Sequence, residues 1–304
     1  VDWRLSIVGL LIGALVGATG MGGGSLLTPI LVLLFGFKPS MAIGTDILHG
    51  AIFKSFGAWR HRQLGTVSGR LTLWMLAGSA PMSLAGVAVA TWLERRYGEG
   101  IETTQKQILG VALLICGLGF LAKALIHHKV APGPFVMDRR GKLIAIGIGL
   151  IGGFVVGLTS VGSGTFFGLA MLVIFPIATA TVVGTDIFHA ALLLWVAGAG
   201  HIVAGNVDLA ATGSLLVGSI PGVLLGSHVM IRLPDRALRI ALATTLSLSG
   251  LKLLDVPGSS VIVVAGLGLM VAALVVYGAW QLVQRRRRAL APDVAAEPAP
   301  TATD

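Results

Sequence analysis

Charge is scarce in this sequence: 12% of its 304 residues are Asp, Glu, Lys or Arg, about half the share of an ordinary soluble domain. Together with 55% hydrophobic residues and a mean hydropathy of +0.90, that scarcity excludes a water-solvated globule, so lipid must be the solvent. The single cysteine, Cys116, lies in an apolar run, which excludes a disulfide framework and a thiolate metal site. Acidic residues are outnumbered by basic ones, 13 against 22. The excess does not mark a nucleic-acid partner, because Arg60-His61-Arg62, Arg139-Arg140-Gly141-Lys142 and Arg285 to Arg288 sit at the ends of apolar segments with no aromatic interleaving. They read as topology signals. Also missing are a His-Glu-x-x-His zinc motif and the paired Tyr-Asp and Gly-x-Gly-Asp constellation of intramembrane proteases, so no enzyme and no cofactor is expected. The first apolar segment, from Leu5, lacks a basic leader and an Ala-x-Ala cleavage site and is read as retained structure. The tail after Arg288 is rich in Pro and Ala and is expected to be disordered.

What is present is a repeat. Gly44-Thr45-Asp46-Ile47-Leu48-His49 is echoed by Gly184-Thr185-Asp186-Ile187-Phe188-His189, an offset of 140. The same offset pairs Gly17 with Gly157, Gly22 with Gly162, Gly24 with Gly164, His61 with His201, Gly78-Ser79 with Gly218-Ser219 and Pro81 with Pro221. Each copy holds four apolar stretches: Leu5-Phe35, Met41-Trp59, Leu71-Leu93 and Ile108-Ile126, then Leu143-Phe175, Thr179-Ala199, Leu209-Ile231 and Ala237-Leu254. Three of each four have single-span length. A ninth, Val261 to Leu282, has no counterpart. The resulting division is repeat 1 over 5–126, a basic connecting loop over 127–141, repeat 2 over 142–255, an extra transmembrane helix over 260–283 and a basic, then disordered, tail over 285–304.

The first stretch of each copy is too long for one crossing. Leu5 to Phe35 would make roughly 46 Å of helix at about 1.5 Å per residue, against a hydrocarbon core of about 30 Å. Its middle is a glycine cluster, Gly20-Met21-Gly22-Gly23-Gly24-Ser25, matched by Ser160-Val161-Gly162-Ser163-Gly164-Thr165. Glycine runs break helices, so the stretch is either a kinked crossing or a re-entrant hairpin. Loop charge separates the two. A kinked crossing puts nine loop Lys and Arg on one side and eleven on the other, whereas a hairpin gives fourteen against six, the bias of a cytoplasmic face. With hairpins each copy crosses an odd number of times. The expected fold is therefore an all-α polytopic membrane protein of two inverted-topology repeats, each a broken re-entrant helix pair plus three transmembrane helices, with one extra C-terminal helix and a cytoplasmic C-terminus.

The breaks suggest an anion site. Half-helices starting at the clusters expose first-turn N–H groups that lipid cannot satisfy, and a helix N-terminus attracts an anion. Candidate substrate-binding residues are Gly22, Gly23, Gly24 and Ser25 in one copy, Gly162, Ser163, Gly164 and Thr165 in the other, and Thr45 and Thr185. Alternatively, the glycines are packing faces. Asp46 with His49, and Asp186 with His189, lie three residues apart on one helix face. They are read either as a coupling or gating pair, with protons as an accessible coupling ion, or as caps, with Thr45 or Asp46 opening a helix after Gly44. Lys54 falls inside a span, opposite Leu194 in the second copy, and either snorkels to an interface or faces the anion path. His61 and His201, before Gly65 and Gly205, are expected at the membrane interface, and Pro81 and Pro221 in mid-span.

Gly17-Ala18-Thr19-Gly20-Met21-Gly22-Gly23-Gly24 with Pro29, the Gly44-Thr45-Asp46 step, and Gly157-Leu158-Thr159-Ser160-Val161-Gly162-Ser163-Gly164 resemble the TauE/SafE family of sulfite and organosulfonate exporters, the four-toluene sulfonate uptake group. The likeness spans most of residues 5–255. It implies a carrier of a small sulfur-containing anion in a bacterial inner membrane, its partners being that anion and the surrounding lipid. A sulfonate offers three acceptor oxygens to converging donors. A small carboxylate would satisfy the same donors, and a channel is the other function open to this scaffold.

Overall fold

A computed structural model describes residues 2–19, 24–125, 137–164, 166–229, 235–262, 265–266 and 269. Their regular structure is helical, with no strand among the described residues: α1 (Trp3–Thr19), α2 (Gly24–Phe35), α3 (Pro39–Gln63), α4 (Gly69–Tyr97), α5 (Glu102–Leu125), α6 (Arg139–Thr159), α7 (Phe166–Ile174), α8 (Thr179–Ala204), α9 (Leu209–Val229) and α10 (Asp235–Leu253). The long first stretch of each sequence copy is interrupted at its glycine cluster, giving α1 and α2 in one copy and α6 and α7 in the other. Gly22, Gly23 and Thr165, most of the ninth segment and the whole of the tail lie outside the described residues.

Two helix starts differ from the sequence expectation, for local reasons. α6 begins ahead of its apolar stretch because the Asp138 carboxylate accepts the Gly141 N–H at 2.7 Å and caps it. α3 opens at Pro39, which needs no amide partner in the first turn. Gly44-Thr45-Asp46 therefore lies inside the helix, and the capping reading of Thr45 and Asp46 does not hold. α8, from Thr179, carries Gly184-Thr185-Asp186 in the same interior position.

The polarity is that of a membrane protein. Exposed positions are rich in large apolar side chains, among them Leu11, Leu34, Leu73, Ile115, Leu118, Ile151 and Val203. Buried positions instead include Thr28, Asp46, His49, Lys54, Ser79, Ser160, Asp186, His189 and Ser219. Among the described residues three helical segments are long and apolar enough to cross a bilayer, Gly69–Tyr97, Arg139–Thr159 and Ala180–Ala204, and Trp3–Ala14, Leu26–Phe35 and Leu209–Leu225 are shorter apolar helices. Exposed Trp3, Trp59 and Trp92 sit near helix ends, where an indole suits the headgroup level.

Helices pack across the two sequence copies. Gly149, Gly153 and Gly157 form a stripe on α6 against Met75, Ser79 and Ser83 of α4, and Gly9 and Gly13 form its counterpart on α1 against Leu215 and Ser219 of α9. A Cβ on Gly153 would lie 2.5 Å from the Ser79 Cα, a clash with backbone that no rotamer change relieves. Small residues at four-residue spacing let backbones approach, which is the main source of helix adhesion in lipid. In both pairs contact numbering rises together, so α1 and α9 run in the same sense, as do α4 and α6. Between α3 and α8 it runs oppositely, Gly44 meeting Asn206 and Gly57 meeting Ile187. α5 and α10 are likewise antiparallel, Gly110 meeting Gly250 and Gly117 meeting Ser247.

Gly153→Val should part α4 from α6 and destabilise the purified protein by at least about 2 kcal/mol, the usual scale of overpacking. Gly147, with nothing within 4 Å of an added Cβ, should accept valine without a shift in melting temperature. Equal melting of the two variants would contradict this packing.

Candidate functional site

α3 buries Ser40, Thr45, Asp46, His49 and Lys54. Asp46, 1% exposed, accepts on Oδ2 the hydroxyls of Thr28 in α2 and of Ser160 at the break after α6, the latter at 2.8 Å. One carboxylate thus ties together the second half-helix of the first copy and the broken segment of the second. Eight residues along α3, Lys54 is 5% exposed. Its Nζ donates to the Ser163 carbonyl and, at 3.0 Å, to the Ser163 Oγ. Snorkelling does not describe this lysine, which is held inside the protein. Its ammonium interacts electrostatically with both Asp46 and Asp186.

The break itself turns through backbone that favours glycine. Ser160 is left-handed at φ 62° and caps α6 through its N–H to the Val156 carbonyl, and Gly162 follows at φ 104°. A side chain at Gly162 would be strained whatever the space around it. The Phe166 N–H then bonds back to the Gly162 carbonyl at 3.1 Å, closing the turn onto α7. Val161 to Gly164 are all buried.

The two His-bearing helices each reach the other copy. His49 Nε2 shares a hydrogen bond with Ser219 Oγ of α9, and His189 Nε2 shares one with Ser79 Oγ of α4, both at 2.9 Å. His189 also meets the edge of Phe167 at 4.4 Å between ring centroids. Thr45 and Thr185, expected to bind substrate, are engaged at helix entries: their hydroxyls accept the N–H of Asp208, at 3.0 Å, and of Ser68, at 2.9 Å, just before α9 and α4. These contacts order α3 against α9 and α8 against α4 in the same sense. A small cavity lined by Asp46, His49, Lys54, Ile12, Leu27 and Phe53 encloses about 10 Å³, the space of one water.

Of the expected site residues, Asp46, His49, Lys54 and Ser163 come together, and Gly162 and Gly164 shape the turn beside them. Asp186 and His189 lie on α8, both buried. Gly24 and Ser25 open α2, but the Ser25 hydroxyl, like Gly22, Gly23 and Thr165, lies outside the described residues. His61 does end α3, half-buried, with Nδ1 2.9 Å from the Thr66 hydroxyl. His201 lies in the last turn of α8 and is fully buried, its Nε2 3.1 Å from the Gly157 carbonyl, because α8 packs beside the end of α6. Sequence reasoning did not select Thr28, Ser160, Ser79 and Ser219. The two serines of α4 and α9 were signalled by their shared offset, whereas Thr28 had no signal, since the matching position in the second copy is Gly168.

The profile described as "Sulfite exporter TauE/SafE" matches residues 5–253. The chain belongs to the TauE/SafE family. A probable membrane transporter protein of Bacillus subtilis (strain 168), YjnA, is 38% identical over 250 residues, covering 82% of this chain and 98% of the relative. A second from the same organism, YdhB, is 23% identical over the same shares, and MJ0441 of Methanocaldococcus jannaschii, also a probable membrane transporter protein, is 24% identical over 82% of this chain and 94% of its own. No solved structure matches significantly. This TauE/SafE protein is therefore a membrane-embedded transporter, and its buried carboxylate, imidazole and ammonium groups are candidates for transport rather than for fold alone.

Ser79→Ala and Ser219→Ala should each leave a buried imidazole nitrogen unmatched and lower stability by about 1–3 kcal/mol. Scanning fluorimetry of the single and double variants should show the losses adding, since the two bonds share no partner. Unchanged melting in both would mean that these bonds do not hold the copies together.

Proposed function

We propose that this transporter exports a small sulfur-containing anion, sulfite or a short organosulfonate, across a bacterial inner membrane by alternating access. The observation that carries the reading is the meeting, in a buried centre, of the second copy's glycine break with Asp46 and Lys54 of the first copy. The family description names sulfite. The breaks offer N–H donors and close backbone approach to an oxyanion, with Gly22 to Ser25 and Gly162 to Thr165 as the substrate-binding segments. Asp46, Asp186, His49 and His189 couple or gate, with protons as the coupling ion.

In this reading the two copies are inverted. The antiparallel contacts of copy-equivalent helices, α3 with α8 and α5 with α10, support that. So does helix sense within each copy: α1 and α3 both run with α9, and α6 and α8 both run with α4. A chain that enters and leaves the break region in the same sense must double back between, so α2 and α7 are the returning arms of re-entrant hairpins. Loop charge then places the C-terminus in the cytoplasm. A centre with room for one water is occluded, and transport requires the helices around the breaks to part.

Proteoliposomes loaded with sulfite, taurine, sulfoacetate or acetate test the reading. Sulfite or a sulfonate should move, at a rate changed by a pH gradient, and Asp46→Asn should cut the coupled flux at least about tenfold, within the usual effect of a positioned proton-transfer group, while membrane insertion is unchanged. Flux of acetate alone, or of none of the four, would overturn the sulfur-anion assignment, and flux indifferent to the gradient would make the protein a channel.

A further inference from the structure

We propose that the transporter holds one anion rather than a symmetric pair, that the anion is monovalent, and that Lys54 is its counter-ion at the second copy's break. In the closed form Lys54 instead latches that break through Ser163. This deepens the anion-transport reading above and rests on it.

The internal repeat supplies the argument, because it shows what each copy has kept. Asp46 and Asp186, His49 and His189, Ser79 and Ser219, and Thr45 and Thr185 are retained at both positions. These groups make the paired contacts that join the copies. Around the break the copies have diverged. Lys54 is matched by Leu194, Ser163 by Gly23, Ser160 by Gly20 and Thr28 by Gly168. Both members of the Lys54–Ser163 contact are thus replaced together, and glycines stand at the positions matching the two hydroxyl donors to Asp46. A pair of equal anion sites would need the same side chains at both breaks. Among the described residues Lys54 is the one buried lysine, and it lies against the second copy's break.

The chemistry of that lysine sets the ligand. A buried ammonium is costly unless it is matched, and the hydrogen bonds of Lys54 go to two neutral acceptors on a single residue. An ammonium has three donors that rotate freely and acts as a point charge, so the oxygens of an oxyanion can replace the Ser163 carbonyl and hydroxyl. That exchange frees the Ser160–Gly164 turn as the anion is taken. With the Asp46 carboxylate lining the same small cavity as the ammonium, a single negative charge is tolerated far better than two. The site therefore favours a sulfonate over a dianion such as sulfate.

Titration calorimetry of the purified full-length protein with methanesulfonate and with sulfate, paired with thiol labelling of Val161→Cys in a Cys116→Ala background, tests the proposal. Wild type should bind one equivalent of methanesulfonate and bind sulfate more weakly. Lys54→Met should weaken methanesulfonate at least about thirtyfold, the lower end of losses when one member of a buried charged contact is truncated, and should speed labelling of the otherwise buried position 161 by a charged methanethiosulfonate. Ser163→Gly, the residue of the first copy, should speed labelling with a loss of methanesulfonate affinity well below that of Lys54→Met, which separates the latch from the ammonium contact if Lys54→Met folds poorly. Two equivalents bound, tighter sulfate, or Lys54→Met binding like wild type would overturn the single-site proposal. Labelling unchanged in both variants would overturn the latch. Absence of binding by wild type, with no sulfonate flux in proteoliposomes, would instead remove the sulfur-anion reading beneath it.

Discussion

A helix that stops halfway through a bilayer leaves several N–H and C=O groups without partners, and hydrocarbon offers them none. Everything else in this protein answers to that constraint. The first apolar stretch of each copy is interrupted at its glycine cluster, between α1 and α2 and between α6 and α7, and an interruption placed in hydrocarbon needs protein around it. The wall is built by crossing the copies over one another. α6 of the second copy lies along α4 of the first and α1 of the first along α9 of the second, each seam closed by glycines spaced four apart. With lipid supplying no hydrophobic drive between helices, close backbone approach is the force that remains.

Once the breaks are enclosed, the interior can hold polar groups that lipid would reject. The structure spends them in two ways. One set is duplicated and mechanical: a histidine on α3 or α8 reaches a serine on the other copy's helix, and a threonine one turn earlier receives the first N–H of the same helix. The other set is electrostatic, and its residues differ between the copies: Asp46 gathers Thr28 and Ser160, and Lys54 holds Ser163. Duplicated contacts define how the copies ride on each other. The contacts of the second set sit at a break, where a small ligand would meet the backbone. This division of labour explains how a repeated scaffold yields an asymmetric centre.

The parts of this architecture visible in the sequence are those written in spacing. A fixed offset exposed the duplication, surplus length with a glycine cluster exposed each break, and Lys54 stood out as a cation in an apolar run with no counterpart. Other parts were hidden for physical reasons. The Thr45-Asp46 pair looked like a cap because Gly44 precedes it, yet Pro39 had already opened the helix. His201 could be placed near a helix end beside Gly205, but its burial depends on α6 lying alongside, a neighbour that no local pattern announces. Thr28 and Ser160 became recognisable only when the fold brought them to one carboxylate from residues 18 and 114 positions away. The interlocking of α1 with α9 was likewise out of reach, since a repeat says which segments are alike and not which ones touch.

The central proposal is that the two copies traverse the membrane in opposite senses. Single cysteines at positions 36 and 178, just beyond α2 and α7, report on it directly through labelling with an impermeant thiol reagent in oriented vesicles. The account predicts that the two positions react from opposite faces of the membrane. Reaction of both from the same face would contradict it.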